Sequence, residues 1–200
     1  MRREYSYMYF GKKKNRITLL LERKPRKKGF AGLVLSDRFK EPITLVVDEE
    51  WLDDEGVSDK FITAQKDGSR PVIVICTAAF VGLKRGYPFD RFGLLHEVGH
   101  YCCGHLVNAP SLKEENEKRG KLIAQFKVAE DELAADAFAV EYLGAWYVSL
   151  AMADRIDQLA AIQLHYDGTG GFTPTMWEYQ MRIDHIAEQF GFYDEDEEDD

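Results

Sequence analysis

Residues 92–105 read F-G-L-L-H-E-V-G-H-Y-C-C-G-H and contain three of the five histidines in this 200-residue chain. Residues four apart lie on one face of an α-helix, so His96 and His100 can point at a single ion, with Glu97 about 100° around the helix axis. The pattern H-E-x-x-H is typical of Zn²⁺ sites in which two imidazoles bind the metal and the glutamate is a general base. The surrounding residues are apolar, which predicts a helix that is buried all round.

A third ligand is expected, because catalytic zinc sites usually have three protein ligands and one open position. Glu132 and Asp136 are four apart and begin a stripe of residues along one helix face, which predicts that both carboxylates start on the buried side. The stripe would continue through Ala139, Leu143, Trp146 and Leu150 if the helix carries on. Burying a carboxylate costs several kcal/mol unless it is paired or binds a metal, so this pattern predicts a cation nearby.

Glu132 is therefore the predicted third ligand, and Asp136 is predicted to accept the free N–H of a liganding histidine. Alanines between and beside the two carboxylates predict that this helix approaches the histidine helix closely. The ordinary alternative is a solvated face of a surface helix. Two other residues could supply the third ligand: His105 is one residue out of register for the metzincin pattern, and Cys103 lies a helical turn beyond His100, where a packed thiol is the more ordinary interpretation.

These segments together resemble a known family. R-F-G-L-L-H-E-V-G-H-Y-C-C-G-H is similar to the histidine motif of ImmA/IrrE-type zinc metallopeptidases, and E-L-A-A-D-A-F-A-V-E-Y-L resembles their downstream glutamate segment. The resemblance covers Arg91 to Leu143. It implies a gluzincin-like fold and cleavage of a protein partner, often a regulator of a mobile element, phage or stress response. HtpX-type peptidases share part of the second motif, but they are embedded in membranes, and this chain has no apolar run of the roughly 20 residues that a span needs.

Charge is distributed unevenly along the chain. Residues 1–30 carry eleven Lys/Arg and two Glu, and residues 194–200 are seven consecutive Asp and Glu residues. The whole chain has a net charge of −9. The first segment predicts a basic β-hairpin arm, for which nucleic-acid contact is an alternative function. The second predicts a disordered acidic tail. The three cysteines and the absence of a secretory signal predict a cytoplasmic protein without disulfides.

The order of elements predicts an α+β fold, in which a small twisted, mostly antiparallel sheet packs against the histidine helix and a helical C-terminal half. One zincin-like domain is expected over residues 1–193. Ser111 and Glu114 form a capping-box pattern for the helix after the histidine helix. The predicted strands are Glu4–Phe10, Arg16–Glu22, Phe30–Ser36, Ile43–Val47 and Val72–Cys76. The other predicted helices run from Asp90 as N-cap to about Cys103, from Ala129 to Leu143, from Trp146 to His165, and from Pro174 to about Phe190.

The function predicted from the sequence is that of a soluble zinc endopeptidase, with Zn²⁺ on His96, His100 and Glu132 and with Glu97 as the base. The protein substrate is expected to lie extended along an edge strand near Val72–Cys76. Residues that could stabilise the oxyanion or contact the substrate are Arg182, His185 and His165. The alternatives are a catalytically silent protein that keeps the zinc site for partner binding, and a nucleic-acid- or virion-associated protein that uses the basic arm.

Overall fold

The computed structural model describes residues 4–26, 29–50, 61–64, 70–106, 112–168 and 171–191, so the predicted acidic tail and Ser111 lie outside the described residues. The architecture is α+β, as predicted. The strands are β1 (Tyr5–Phe10), β2 (Ile17–Glu22), β3 (Phe30–Leu35), β4 (Ile43–Asp48), β5 (Phe61–Ala64) and β6 (Val72–Cys76). The helices are α1 (Thr77–Arg85), α2 (Pro88–Cys102), α3 (Leu112–Ala124), α4 (Glu130–Leu143), α5 (Ala145–Asp167) and α6 (Pro174–Phe190).

The strands form one open, mostly antiparallel sheet in the order β1-β2-β3-β4-β6-β5. Strands β1 to β4 follow one another as an antiparallel meander, β6 joins β4 in parallel, and β5 closes this side by pairing antiparallel with β6. The prediction that Val72–Cys76 is an edge strand is therefore wrong, because β5 covers its outer side. At four residues, β5 is too short for a recognisable alternation of apolar and polar residues.

The sheet buries one face and leaves the other partly exposed, as the two-residue period of β-strands requires. The side chains on the buried face belong to the same hydrophobic cluster as those of the helices. These inward residues are Phe10, Ile17, Leu19, Leu21, Val34, Ile43, Leu45, Val47, Ile73 and Ile75. The histidine helix α2 thus packs within a core that the sheet and the C-terminal helices share.

One helix start and one whole helix differ from the prediction. Helix α2 begins at Pro88, and Asp90 is a buried residue of its first turn rather than the N-cap. Backbone N–H groups in the first turn have no partner within the helix, so the missing N–H of Pro88 costs no hydrogen bond there. No side chain caps this helix start. Helix α1 is absent from the elements predicted from the sequence; it follows β6 directly, and the Cys76 sulfur accepts a hydrogen bond from the backbone N–H of Ala79.

Helix α4 ends sooner than the extended stripe requires. Gly144, at φ 85°, follows Leu143 and turns the chain into α5. The predicted end of this helix at Leu143 is confirmed, the condition for a stripe that continues to Trp146 and Leu150 is not met, and these two residues are 53% and 41% exposed. A residue with positive φ changes the chain direction, and the faces of α4 and α5 are therefore not continuous.

Helices α2 and α4 approach one another closely at Gly99. A Cβ atom at this position would lie 2.9 Å from the Cα and carbonyl oxygen of Ala135, closer than packed atoms allow. The alanine-rich side of α4 is predicted to permit this approach, and Ala135 and Ala139 are fully buried. On α2, Gly99 has no side chain, and its bare backbone packs against Ala135 of α4. The two helices that carry the predicted ligands are therefore in direct backbone contact.

In the part of the chain that the structure describes, no helix combines the length and the apolar character needed to cross a membrane.

Candidate metal centre

Three side chains from α2 and α4 bring their donor atoms together. Nε2 of His96 lies 3.0 Å from Nε2 of His100. The Glu132 carboxylate completes the group, with one oxygen 3.2 Å from Nε2 of His96 and the other 3.5 Å from Nε2 of His100. Each of the three residues offers one donor atom, and these atoms all lie within 4.8 Å of one another. Among the described His, Cys, Asp and Glu residues, these three form such a group. His96, His100 and Glu132 could therefore hold a metal ion.

The size of this triangle fits a metal with nitrogen and oxygen ligands. Metal–ligand bonds of 2.0–2.1 Å in a tetrahedron place neighbouring ligand atoms about 3.3 Å apart. The two Nε2 atoms are 3.0 Å apart, and each has a different Glu132 oxygen near it, at 3.2 Å for His96 and 3.5 Å for His100, so the separations are close to that value. The site is largely buried, because His96 is buried and the side chains of His100 and Glu132 are only 15% and 20% exposed.

The hydrogen bonds on the far side of each imidazole favour metal binding through Nε2. Nδ1 of His96 faces Asp136 Oδ1 at 2.8 Å, and Nδ1 of His100 faces Nδ1 of His105 at 3.0 Å. If each Nδ1 carries the hydrogen and donates it, both Nε2 atoms present lone pairs to one another. Two lone pairs at 3.0 Å repel unless a cation or a proton lies between them. With these tautomers, the two Nε2 atoms leave a place for positive charge.

Arg182 of α6 joins the centre through Asp136. Its Nε donates a hydrogen bond to Asp136 Oδ2 at 2.7 Å and its Nη2 donates one to Asp136 Oδ1 at 2.5 Å. Nη1 also lies 3.4 Å from a Glu132 oxygen. Both Arg182 and Asp136 are buried, and a bidentate pair with two hydrogen bonds satisfies charges that would otherwise be costly in the core. The sequence suggests Arg182 as an oxyanion or substrate residue, whereas its guanidinium is turned to the carboxylates.

The electrostatics of the centre favour ionised carboxylates. Burial raises the pKa of Asp136, but the Arg182 charge and the hydrogen bonds from His96 and Arg182 outweigh it, and the pKa is lowered. Burial likewise opposes ionisation of Glu132, yet its histidine contacts and Arg182 hold the pKa well below the usual range. Burial and Arg182 lower the pKa of His96, but its bonds to the two carboxylates prevail and raise it to about 9. A cation is therefore favoured at this position.

His105 lies behind His100 and does not belong to the triangle of donor atoms. Its Nδ1 faces Nδ1 of His100, and its Nε2 lies 3.9 Å from the Asp131 carboxylate. Its backbone N–H also donates to the carbonyl oxygen of His100, which folds the chain back after α2 ends. His105, which the sequence offered as an alternative third ligand, thus contacts the predicted ligand His100 and is not part of the group of donor atoms.

The remaining predicted site residues are more dispersed. Glu97 is half-buried on α2, next to His96 in sequence. His185 is half-buried on α6, and His165 is exposed on α5 beside Tyr166; neither belongs to the convergent group of described residues. Cys103 is an exposed free thiol at the end of α2, and partial burial of its sulfur raises its pKa, so the thiolate needed for metal binding is disfavoured.

Comparison of the chain with protein-family models, with curated proteins and with solved structures finds no match in any of the three.

Proposed function

We propose that this protein is a zinc-dependent endopeptidase that hydrolyses a peptide bond in a specific protein partner. The observation that carries the proposal is the convergence of donor atoms from His96, His100 and Glu132 to within 4.8 Å of one another. A glutamate immediately after the first histidine accompanies this group, as hydrolytic zinc sites of the H-E-x-x-H type require. The resemblance of both motifs to ImmA/IrrE-type metallopeptidases supports the same assignment.

Zinc is the metal we propose for this centre. Two imidazoles and one carboxylate are the protein ligands of several catalytic zinc sites, and three protein ligands leave a coordination position for water or substrate. When bound, Zn²⁺ supplies Lewis acidity, which polarises a peptide carbonyl and lowers the pKa of a water molecule towards about 7. The contacts of the two Nδ1 atoms with Asp136 and His105 hold both imidazoles with Nε2 towards Glu132, so His96, His100 and Glu132 would hold the metal.

Glu97 is the proposed general base. It follows His96 on α2, so its side chain leaves the helix about 100° from the ligand and is not needed to bind the metal. In the reaction it accepts a proton from the attacking water and then donates it to the amine that leaves. General acid–base catalysis of this kind typically contributes 10²–10⁴-fold to the rate. Arg182, which is engaged with Asp136, supports the ligands electrostatically in this scheme and does not contact the peptide.

The substrate is proposed to bind as an extended strand. Strand β5 is an edge of the described sheet and lies next to α2, whereas β6 is enclosed between β4 and β5. An extended peptide can add to such an edge through main-chain hydrogen bonds. The partner that the resemblance favours is a protein regulator of a phage, mobile element or stress response, acted on inside the cell.

The test is the Glu97→Gln variant, which is nearly isosteric and removes only the proton-accepting group. The zinc-loaded wild type and variant are incubated with a proteome-derived peptide library and with folded protein extracts, and new N-termini are identified by mass spectrometry. We expect about one zinc per chain in both proteins. Cleavage by the variant should fall by about 10²–10⁴-fold or more, because the same group serves the water and the leaving amine.

The matched control is Glu130→Gln, which changes an exposed carboxylate at the start of α4. This variant should cleave like the wild type. Equal cleavage by wild type and Glu97→Gln, with zinc in both, would contradict the assignment of the base. If the zinc-loaded wild type produced no new N-termini in either substrate set, the centre would belong instead to a protein that keeps zinc for structure or partner binding.

A further inference from the structure

Three tyrosines form a row on the first strand of the sheet. Tyr5, Tyr7 and Tyr9 alternate along β1 with residues whose side chains turn to the core, among them the buried Phe10. Alternation places the three rings on the opposite, outer face. Tyr7 and Tyr9 are 63% and 52% exposed, and β1 is an edge of the sheet. Large aromatic rings held in water on a rigid strand are a ready surface for planar groups to stack on.

Basic side chains flank the tyrosine row at both ends. At one end, the exposed Lys13 and Lys14 lie in the turn between β1 and β2, and the Arg16 guanidinium lies 3.9 Å from the centre of the Tyr9 ring. At the other end, Tyr5 pairs with Glu22, the last residue of β2, so the chain beyond it emerges beside this ring. The exposed basic residues there are Arg23, Lys24 and Arg26. Positive charge therefore lies at both ends of the tyrosine row, and at the second end Arg23 also pairs with Glu4 at 3.1 Å.

This positive charge is local. Residues 1–30 carry a net charge of +9, eleven Lys/Arg against two Glu, whereas the whole chain carries −9, so residues 31–200 carry −18. An acidic protein with one basic hairpin attracts an anionic partner to that hairpin and repels it elsewhere. The tyrosine row belongs to β1, whereas the ligands of the metal centre belong to α2 and α4.

We propose that the outer face of the β1–β2 hairpin binds single-stranded nucleic acid. Bases would stack on Tyr7 and Tyr9, and the flanking lysines and arginines would contact the phosphates, which is the combination that single-strand binding surfaces use. A second copy of the chain fits this face less well, because two basic hairpins would repel one another. The acidic C-terminal segment would satisfy the charge but would make no use of the exposed rings. Duplex would satisfy the charge as well, but its bases are already stacked.

The experiment measures fluorescence anisotropy of a labelled single-stranded oligonucleotide of about 16 nucleotides, the upper end of the length that one small domain covers. The full-length protein is titrated at several salt concentrations. We expect an association constant whose logarithm falls linearly with the logarithm of salt concentration. Tyr7→Ala and Tyr9→Ala should each weaken binding by about tenfold, whereas Tyr7→Phe should stay close to wild type because the ring remains. Lys13→Ala together with Lys14→Ala should reduce the salt slope by about 0.7 for each phosphate that the lysines no longer neutralise.

Matched controls are Tyr166→Ala, which removes a tyrosine that is 57% exposed on α5, and Lys118→Ala with Lys121→Ala on α3. Both should bind like the wild type. The tyrosine variants change exposed side chains, and their melting temperatures are measured to confirm that the fold is intact.

Four results would overturn the proposal. The first is no binding by the full-length wild type at low salt, and the second is binding that Tyr7→Ala and Tyr9→Ala leave unchanged. Equally tight binding of a duplex of the same length would exclude stacking of the bases. The fourth is evidence that another partner occupies this face of the hairpin. Either the protein self-associates and Tyr7→Ala abolishes the self-association, or oligonucleotide binding appears only after the Asp and Glu residues at 194–200 are replaced by Asn and Gln.

Discussion

Asp136 Oδ1 lies 2.8 Å from His96 Nδ1, and both oxygens of the same carboxylate accept hydrogen bonds from Arg182. One carboxylate on α4 therefore orients a predicted metal ligand on α2 and binds a buried cation on α6. The three helices meet through charged groups in a region that is otherwise apolar. Changes at this point are expected to affect both metal binding and folding, and the two effects can be separated.

Replacing Glu132 by Ala should abolish stable zinc binding. The site would keep only two protein ligands, and zinc affinity depends on the full set of ligands in place. Zinc per chain is measured by elemental analysis after dialysis against a weak chelator. Glu130→Ala is the control, because it removes an exposed carboxylate two residues earlier in the same helical turn. Undiminished zinc in Glu132→Ala would show that another side chain supplies the third ligand.

Replacing Asp136 by Ala should weaken zinc affinity by about 10- to 100-fold without abolishing it, the usual effect of losing a partner that orients a liganding histidine. It should also lower the free energy of unfolding of the metal-free protein by about 3–5 kcal/mol, since Arg182 would be left buried without its carboxylate. Chelator competition and urea unfolding measure the two effects. Wild-type values in both assays would contradict the contacts described.

The double variant Asp136→Leu with Arg182→Leu separates stability from metal binding. Replacing a buried ion pair by apolar residues of similar volume is often neutral for stability, so much of the unfolding free energy lost in Asp136→Ala should return. Zinc affinity should stay low, because His96 would still lack its acceptor. Arg119→Met is the control: it removes an ion pair with Glu178 of α6 that lies outside the donor triangle, and zinc affinity should not change.

His105→Leu should lower zinc affinity by about tenfold, because Nδ1 of His100 would lose the acceptor that fixes its orientation. His105→Gln should recover part of this loss, since the amide oxygen can accept the same hydrogen bond. Substituting Co²⁺ provides an absorption spectrum that reports on ligand geometry, which a purely structural role for His105 would leave unaltered. Identical spectra and affinities for wild type and His105→Leu would exclude the role.

Zinc binding should release a proton at neutral pH. The pKa of His96 is raised to about 9 in the metal-free centre, so at pH 7 this imidazole is protonated and must lose its proton before Nε2 can bind the metal. Apparent zinc affinity should therefore rise about tenfold per pH unit up to about pH 9 and then level off. Calorimetric titrations in buffers of different ionisation enthalpy measure the proton count. A count of zero at pH 7 would contradict the raised pKa.

The same shift affects the stability of the metal-free protein. A histidine whose pKa is higher in the folded state contributes stability that is fully present below its unfolded value of about 6.5 and is lost as the pH rises through about 9. The His96→Gln variant should lack this dependence. Urea unfolding of both proteins between these limits, with chelator present, measures the difference.

Much of the centre could be predicted from spacing within single helices. His96 and His100, and likewise Glu132 and Asp136, are four apart, and the helical period puts each pair on one face whatever the rest of the fold does. The α+β class followed from strands that precede helices. The end of α4 is also a local matter: the predicted end at Leu143 is confirmed, and Gly144 with its positive φ follows it.

The amino-acid sequence thus establishes which residues share a face of an element, where charge is concentrated, and which donor atoms one helix can present. The contact of Arg182 with Asp136, 46 residues away, the return of His105 onto His100, and the pairing of β5 with β6 are visible in the folded structure. Helical and strand periods are set by local backbone geometry, whereas contacts between distant elements depend on how all the apolar faces are buried together.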